Sequence, residues 1–278
     1  MHLYDEIRIS RMEKIQAAIE MARKQRTRGD ASPSRTHAQP VAPTQEQGDV
    51  AQRWAELQPF MPSNKVLANH RMVTRKPSDE ATPFDILRTK ILWQMQQNNW
   101  TRLAVTSPMP NSGKSTIACN LALGLSRQSD TYTMLFDLDL RSPSVGSYMG
   151  HDSGGSFSDV LTGEVPFAQQ AVRFSNNLSI SSSQTVDKDS SSILLSEDAL
   201  NVFDDIQTDY EPDIMIFDMP SMLVGADARA FLKNTDCALI VSRANATRYA
   251  QFDRTENEIA ESTNVIGVVL NACRFDSD

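Results

Sequence analysis

Residues 106–116 read Thr-Ser-Pro-Met-Pro-Asn-Ser-Gly-Lys-Ser-Thr. The last four, Gly113-Lys114-Ser115-Thr116, have the form of the end of a phosphate-binding loop. The usual G-x-x-x-x-G-K-[ST] pattern opens on a glycine, and Pro108 stands in that place. Context decides between a chance match and a site. The apolar run Leu103-Ala104-Val105 precedes the loop as a strand, and Ile117, Leu121 and Leu125 follow it at the spacing of an amphipathic helix. Backbone amides of residues 111–115 can then converge on phosphate oxygens at a helix N-terminus. Asn111, Ser112 and Gly113 shape the turn, and Asn tolerates a positive φ better than most residues. Lys114 supplies a mobile positive charge for β- and γ-phosphates, Ser115 a hydroxyl for Mg²⁺, and Thr116 a reach to the α-phosphate. A nucleotide with Mg²⁺ is the expected ligand.

Two further stretches fit such a site. In Met134-Leu135-Phe136-Asp137-Leu138-Asp139-Leu140-Arg141-Ser142-Pro143 an apolar strand runs straight into two aspartates. Alternation places Asp137 and Asp139 on one side while the strand lasts. Two carboxylates so close call for a counter-charge, which Mg²⁺ and Lys114 would provide. In Ile214-Met215-Ile216-Phe217-Asp218 a buried-type strand also ends in an aspartate, which suits Asp218 to hold Mg²⁺ directly or through water. The sequence-based metal set is thus Ser115, Asp137 and Asp218, and the catalytic set Lys114, Asp137 and Asp139.

Around these motifs the chain falls into three zones. Residues 1–28 hold an expected helix from Ser10: Ser10 and Glu13 fit a capping box, and Met12, Ile15, Ile19 and Ala22 share a face among basic residues. Docking on protein suits this narrow stripe better than lipid. Residues 29–62, rich in Ala, Ser, Thr, Gln and Pro, read as a flexible linker with a helical turn at Trp54. Residues 63–278 alternate strands with helices. Expected strands are 103–106, 133–139, 178–182, 214–218, 238–242 and 265–271; expected helices are 84–98, 114–127, 156–161, 192–207, 226–232 and 250–262. The uninterrupted apolar strands imply burial on both faces, as in a parallel sheet. The expectation is an α/β, three-layer P-loop NTPase fold with a mainly parallel central sheet. The net charge of −8 argues against nucleic acid as the ligand. Three scattered cysteines suggest free thiols in a reducing cytoplasm. No apolar run reaches the roughly 18 residues of a transmembrane helix.

Taken together, the three motifs resemble the bacterial tyrosine kinases of the CpsD/CapB type, deviant-loop ATPases related to the MinD/ParA proteins. The likeness covers about residues 66–275. The family's loop, T-S-x-x-P-G-x-G-K-S-T, lacks the opening glycine as Thr106–Thr116 does, and its Asp-x-Asp-x-Arg-x-Pro motif is matched by Asp137–Pro143. Ser158–Glu164, Val241–Arg248 and Gly267–Asn271 resemble further family segments. In related ATPases the last of these places its asparagine, here Asn271, at the adenine. The opening helix resembles that of members paired with exopolysaccharide systems. The resemblance implies transfer of the ATP γ-phosphate to protein tyrosine in exopolysaccharide or capsule biosynthesis. It also implies a membrane chain-length-determinant (polysaccharide co-polymerase) partner, a homo-oligomer, and a cytoplasmic place at the inner face of the plasma membrane. Two features depart from the family. Its clustered C-terminal tyrosines are not found in Cys273–Asp278; the five tyrosines, Tyr4, Tyr132, Tyr148, Tyr210 and Tyr249, are scattered. Its E-x-x-R-x-x-R assembly segment becomes Thr82–Arg88, with Asp85 at the middle position. These departures keep open an ATP-dependent switch acting on the co-polymerase without tyrosine phosphorylation. A MinD/ParA-like positioning ATPase is weaker, because Met109 occupies the place of the signature lysine of those proteins.

Overall fold

The computed structural model describes residues 45–151 and 155–273, all within one compact unit, Thr44–Asp278. The expected helix from Ser10 and residues 29–44 of the expected linker lie outside the described residues. In chain order the elements are α1 (Gln45–Glu56), β1 (Gln58–Pro59), α2 (Asn64–Asn69), a 3-10 turn (Asp79–Ala81), α3 (Thr82–Asn98), β2 (Arg102–Thr106), α4 (Lys114–Leu125), β3 (Thr133–Asp137), α5 (Val145–Met149) and α6 (Phe157–Leu161). There follow α7 (Phe167–Gln170), β4 (Val172–Ser175), β5 (Leu178–Ser181), α8 (Ser190–Leu194), α9 (Glu197–Tyr210), β6 (Ile214–Asp218), α10 (Asp227–Leu232), β7 (Cys237–Arg243), α11 (Tyr249–Ala260) and β8 (Asn264–Asn271).

The strands form one sheet in the order β1-β4-β5-β3-β6-β2-β7-β8, parallel except for the antiparallel β4–β5 pair. Strand alternation divides the core into two layers. Ala104, Met134, Phe136, Met215, Phe217 and Ile240 face one side, under Phe157, Phe203 and Phe231. Leu103, Val105, Leu135, Ile216, Leu239 and Val241 face the other, against Leu121 and Leu125 of α4. The first layer is an aromatic stack: the Phe136 and Phe217 rings lie 5.4 Å apart, and Phe203 meets Phe217 edge-on at 5.2 Å.

Three expectations need correction. Residues 45–62 are not linker: α1 occupies most of them, and Trp54 is buried against Tyr132, with ring centroids 5.0 Å apart. Its indole Nε1 donates to the Tyr210 carbonyl at 2.8 Å. One tryptophan thus anchors a segment whose composition is that of a linker. Trp54→Ala is expected to cost about 3–5 kcal/mol, read as a lower urea midpoint. The expected helix 192–207 is two helices, because Ser196 leaves helical geometry and caps α9 by accepting from the Ala199 amide at 3.1 Å. Helix α4 is not amphipathic: apart from Thr116, every residue from Ser115 to Leu125 is buried. It lies on the sheet beneath α3 and α5, and so must be apolar all round.

Candidate functional site

Parallel strands end together, so their C-terminal ends gather the motifs on one rim. Asp137 and Asp218 are register partners on neighbouring strands. They share the parity of Leu135 and Ile216, so both point to the α4 side. Strand β3 stops at Asp137, short of the expected end at residue 139, and leaves Asp139 in the following turn. There Asp139 Oδ2 accepts from Lys114 Nζ at 2.7 Å. The lysine, the second aspartate of the pair and the start of α4 are thus joined, as the spacing suggested.

The three carboxylates differ in their surroundings. Asp137 is fully buried, and its Oδ2 accepts from the Ser144 and Val145 amides, both at 2.9 Å, at the start of α5. Its Oδ1 is buried without a hydrogen-bond partner. Neither oxygen of fully buried Asp218 has a partner of normal geometry, although the nearby Ser115 hydroxyl favours its ionised form. Burial pushes the Asp218 carboxyl up to about 6, with Lys114 pulling the other way. Burial and the Asp218 charge also raise Asp137 well above the usual carboxylate range, against its two amide bonds. For Lys114, burial disfavours the charge, but Asp218, Asp139 and Asp137 outweigh it and raise the ammonium pKa.

The loop itself is shaped by side chains from distant parts of the chain. Asn111 takes φ 59° and Gly113 φ 94°. Ser112 Oγ donates to the Met109 carbonyl at 2.7 Å, and Ser107 Oγ to the same carbonyl at 2.9 Å. The Met222 and Leu223 amides donate to the Ser107 and Pro108 carbonyls. Arg243, at the end of β7, donates to the Asn111 carbonyl at 2.7 Å. Asn271, at the end of β8, donates to the Ser112 carbonyl at 2.9 Å. The asparagine expected at adenine therefore braces the loop here. Arg243→Ala is expected to weaken nucleotide binding about tenfold, since a charge-assisted hydrogen bond contributes roughly 1.5–3 kcal/mol; titration of a fluorescent ATP analogue measures it.

A cleft of 1410 Å³ opens over this rim, lined in part by Gly113, Lys114, Ser115, Thr116, Asp139 and Asn271. Asp137 and Asp218 lie beneath it and do not line it. Arg141, from the Asp-x-Asp-x-Arg motif, reaches across to buried Asp227 on α10 at 2.6 Å, where the Ser191 hydroxyl also binds. The motif's arginine thus fixes the far wall. Sequence reasoning missed this, along with the hold of Arg243 on the loop, because the partners lie tens of residues away and no local pattern marks them. Asp85, at the altered assembly position, is held bidentately by Arg127 and also by Arg88. Arg88 further donates to the Gly124 carbonyl. These charges serve the packing of α3 on α4.

The donor set suits a hard divalent cation bound with a nucleotide. Asp218 and Asp137 offer acceptor-only oxygens without partners, and the Ser115 hydroxyl stands beside Asp218. Among the described residues no group of three or more His, Cys, Asp or Glu forms a self-sufficient metal cage. Phosphate oxygens would complete the coordination shell.

The fold is that of a P-loop NTPase. No family model matches the chain. Tyrosine-protein kinase YwqD of Bacillus subtilis is 26% identical over 202 residues, 72% of this chain and 84% of YwqD. EpsB of Ralstonia solanacearum is 26% identical over 204 residues, which are 73% of this chain but only 26% of EpsB. Among solved structures, the kinase domain of the Escherichia coli tyrosine kinase ETK superposes with a TM-score of 0.66 at 20% identity, covering 72% of this chain and 79% of that one. MinD of Pyrococcus horikoshii, solved with Mg-ADP, gives 0.51 at 18% identity over 64% of this chain and 73% of its own. The chain is thus similar in sequence to bacterial tyrosine-protein kinases and has the fold of their kinase domains.

Proposed function

We propose that the chain binds ATP with Mg²⁺ in the cleft and transfers the γ-phosphoryl group to protein tyrosine. One observation carries the reading: Lys114, Asp139, the partner-free Oδ1 of Asp137 and the carboxylate of Asp218 converge on the loop that opens α4. Similarity to tyrosine-protein kinases supports protein tyrosine as the acceptor. In this reading Lys114 neutralises charge on the transferred phosphoryl, the amides of residues 111–115 hold the other phosphates, and Asp218 and Ser115 hold the metal. Bound Mg²⁺ would supply further charge neutralisation on the phosphates. The tyrosine oxygen bonds to the γ-phosphorus, the bond to the β,γ-bridging oxygen breaks, and ADP leaves with that electron pair. Asp139, which lines the cleft, is better placed than Asp137 to receive the tyrosine proton, since Asp137 is sealed beneath α5. Positioning and electrostatics are the main contributions a protein makes to this chemistry.

The acceptor in this reading belongs to another molecule. Of the described tyrosines, Tyr249 is 80% exposed, while Tyr210 is buried. A membrane chain-length protein of a polysaccharide system is the proposed partner, which places the chain at the inner face of the plasma membrane. Among the described residues no helix is long and apolar enough to cross a membrane. The test is incubation with γ-labelled ATP and the cytoplasmic tail of such a co-polymerase, with Lys114→Met as control. Phosphotyrosine on either protein that disappears with EDTA is the expected result. No labelled tyrosine, with partner affinity still raised by ATP, would replace transfer by a nucleotide-dependent switch.

A further inference from the structure

One wall of the cleft lies apart from the loop and the carboxylates assigned above to the nucleotide and its metal. It comes from the segment between α2 and the 3-10 turn and carries Arg71, Arg75 and Lys76. The other cleft cations are engaged: Lys114 with Asp139, Arg141 with Asp227, Arg243 with the loop, and Arg75 with Asn64 and Met61. The side chains of Arg71 and Lys76 are exposed and make no ion pair or hydrogen bond among the described residues. Glu80 is the carboxylate on that side of the lining. On a chain of net charge −8, two unengaged cations at a cleft mouth point to an anionic ligand.

This wall is held in place by an unusual device. Asn120, fully buried on α4, accepts from the Val73 amide at 2.9 Å, the Thr74 amide at 3.3 Å and the Thr74 hydroxyl at 3.2 Å. Its Nδ2 donates to the Arg71 carbonyl at 3.0 Å and to the Thr116 carbonyl at 2.9 Å. Thr74 Oγ1 also lies 2.6 Å from the Asn120 carbonyl. The bonds hold Arg71 at φ 59°, a left-handed conformation that a long side chain rarely adopts. The loop helix and the cationic wall therefore move as one piece. Asn120 lies six residues beyond Lys114, about 9 Å along the helix axis.

We propose that Arg71 and Lys76 select the acceptor by binding acidic side chains that flank its tyrosine, and that Asn120 is the residue positioning them. The proposal rests on the tyrosine-kinase reading above. An extended chain covers about 3.3–3.6 Å per residue, so acids within a few residues of a tyrosine held over Lys114 fall within reach of the same cleft lining. The cleft of 1410 Å³ exceeds the 300–1,000 Å³ typical of small-ligand pockets, leaving room for a chain segment beside ATP. Two separated cations with Glu80 between α2 and α3 suit single carboxylates spaced along a peptide rather than a second polyphosphate.

The experiment compares two synthetic peptides, each with one tyrosine, carrying Glu or Lys three residues to either side. The wild-type protein is expected to prefer the acidic peptide at least tenfold in kcat/KM, through KM. The double variant Arg71→Glu/Lys76→Glu should reverse the preference with ATP affinity changed less than twofold. Asn120→Ala should raise peptide KM while leaving kcat and ATP affinity near wild type, a split that general destabilisation does not produce. Equal use of the two peptides by wild type, or an unchanged preference in the double variant, overturns the proposal. A second arm uses the same peptides with phenylalanine for tyrosine, in fluorescence anisotropy with a non-hydrolysable ATP analogue. If no peptide is phosphorylated yet the acidic one binds wild type and not the double variant, the docking wall stands and the kinase reading falls. If both peptides bind wild type alike, the docking wall falls.

Discussion

Gly113→Ala is expected to lower ATP affinity roughly a hundredfold. Gly113 has φ 94°, and a Cβ there would lie 2.1 Å from Asn271 Nδ2. A left-handed conformation costs an L-residue about 1–2 kcal/mol. Swinging Asn271 aside forfeits its bond to the Ser112 carbonyl, about 1 kcal/mol more. The sum, about 2–3 kcal/mol, falls on a loop that is useful only in one shape. The two parts separate in a double-variant cycle. In an Asn271→Ala background the steric part disappears, so Gly113→Ala should cost about fivefold less there. Calorimetric titration with Mg-ATP over the four proteins gives the answer. Full additivity would show that the asparagine does not brace the loop.

Asp218→Asn is expected to abolish Mg²⁺-dependent nucleotide binding and, at neutral pH, to stabilise the nucleotide-free protein. The carboxyl is buried without partners and its pKa is raised to about 6. A raised carboxyl binds more protons folded than unfolded. Its stabilising share is complete below the unfolded value, near 4, and is lost as pH rises through about 6. Asp137 works in the same direction. Between those pH values the wild-type melting temperature should fall relative to the asparagine variant, which lacks this titration. The gap should reach roughly 5 °C by pH 7. Mg-ATP binding near pH 6 should release protons from the wild type, seen as a dependence of calorimetric heat on buffer ionisation enthalpy. Parallel melting curves for the two proteins across this range would remove the buried charge as the cause.

The rim of the site was legible because its parts are local. A loop between an apolar strand and a helix is contiguous in sequence, and so are the apolar strands that end in Asp137 and Asp218; that the two lie side by side comes from the parallel register. The sheet's central strands were legible for the same reason, since Ile214–Asp218 and Leu103–Thr106 are buried on both faces and read as unbroken apolar runs. Short edge elements were not. Val172–Ser175 pairs antiparallel with its neighbour and bears Arg173 and Ser175, so no apolar run marks it. Helix α1 hides in linker-like composition, because one tryptophan provides most of its anchorage. The bracing of the loop was illegible in principle. Arg243 and Asn271 act across 132 and 159 residues, and nothing in their neighbourhoods signals the partner.

That bracing has a consequence for the order in which the protein matures. The loop is laid down early in the chain, yet the strand ends that hold it lie far downstream. Such distant pairings form late, after many loops have closed. A nascent chain with α4 already formed would expose its nearly all-apolar surface until the central strands through β6 arrive. Competence to bind nucleotide should therefore appear last in refolding, after native secondary structure, and the unfinished intermediate should be the species most in need of a chaperone.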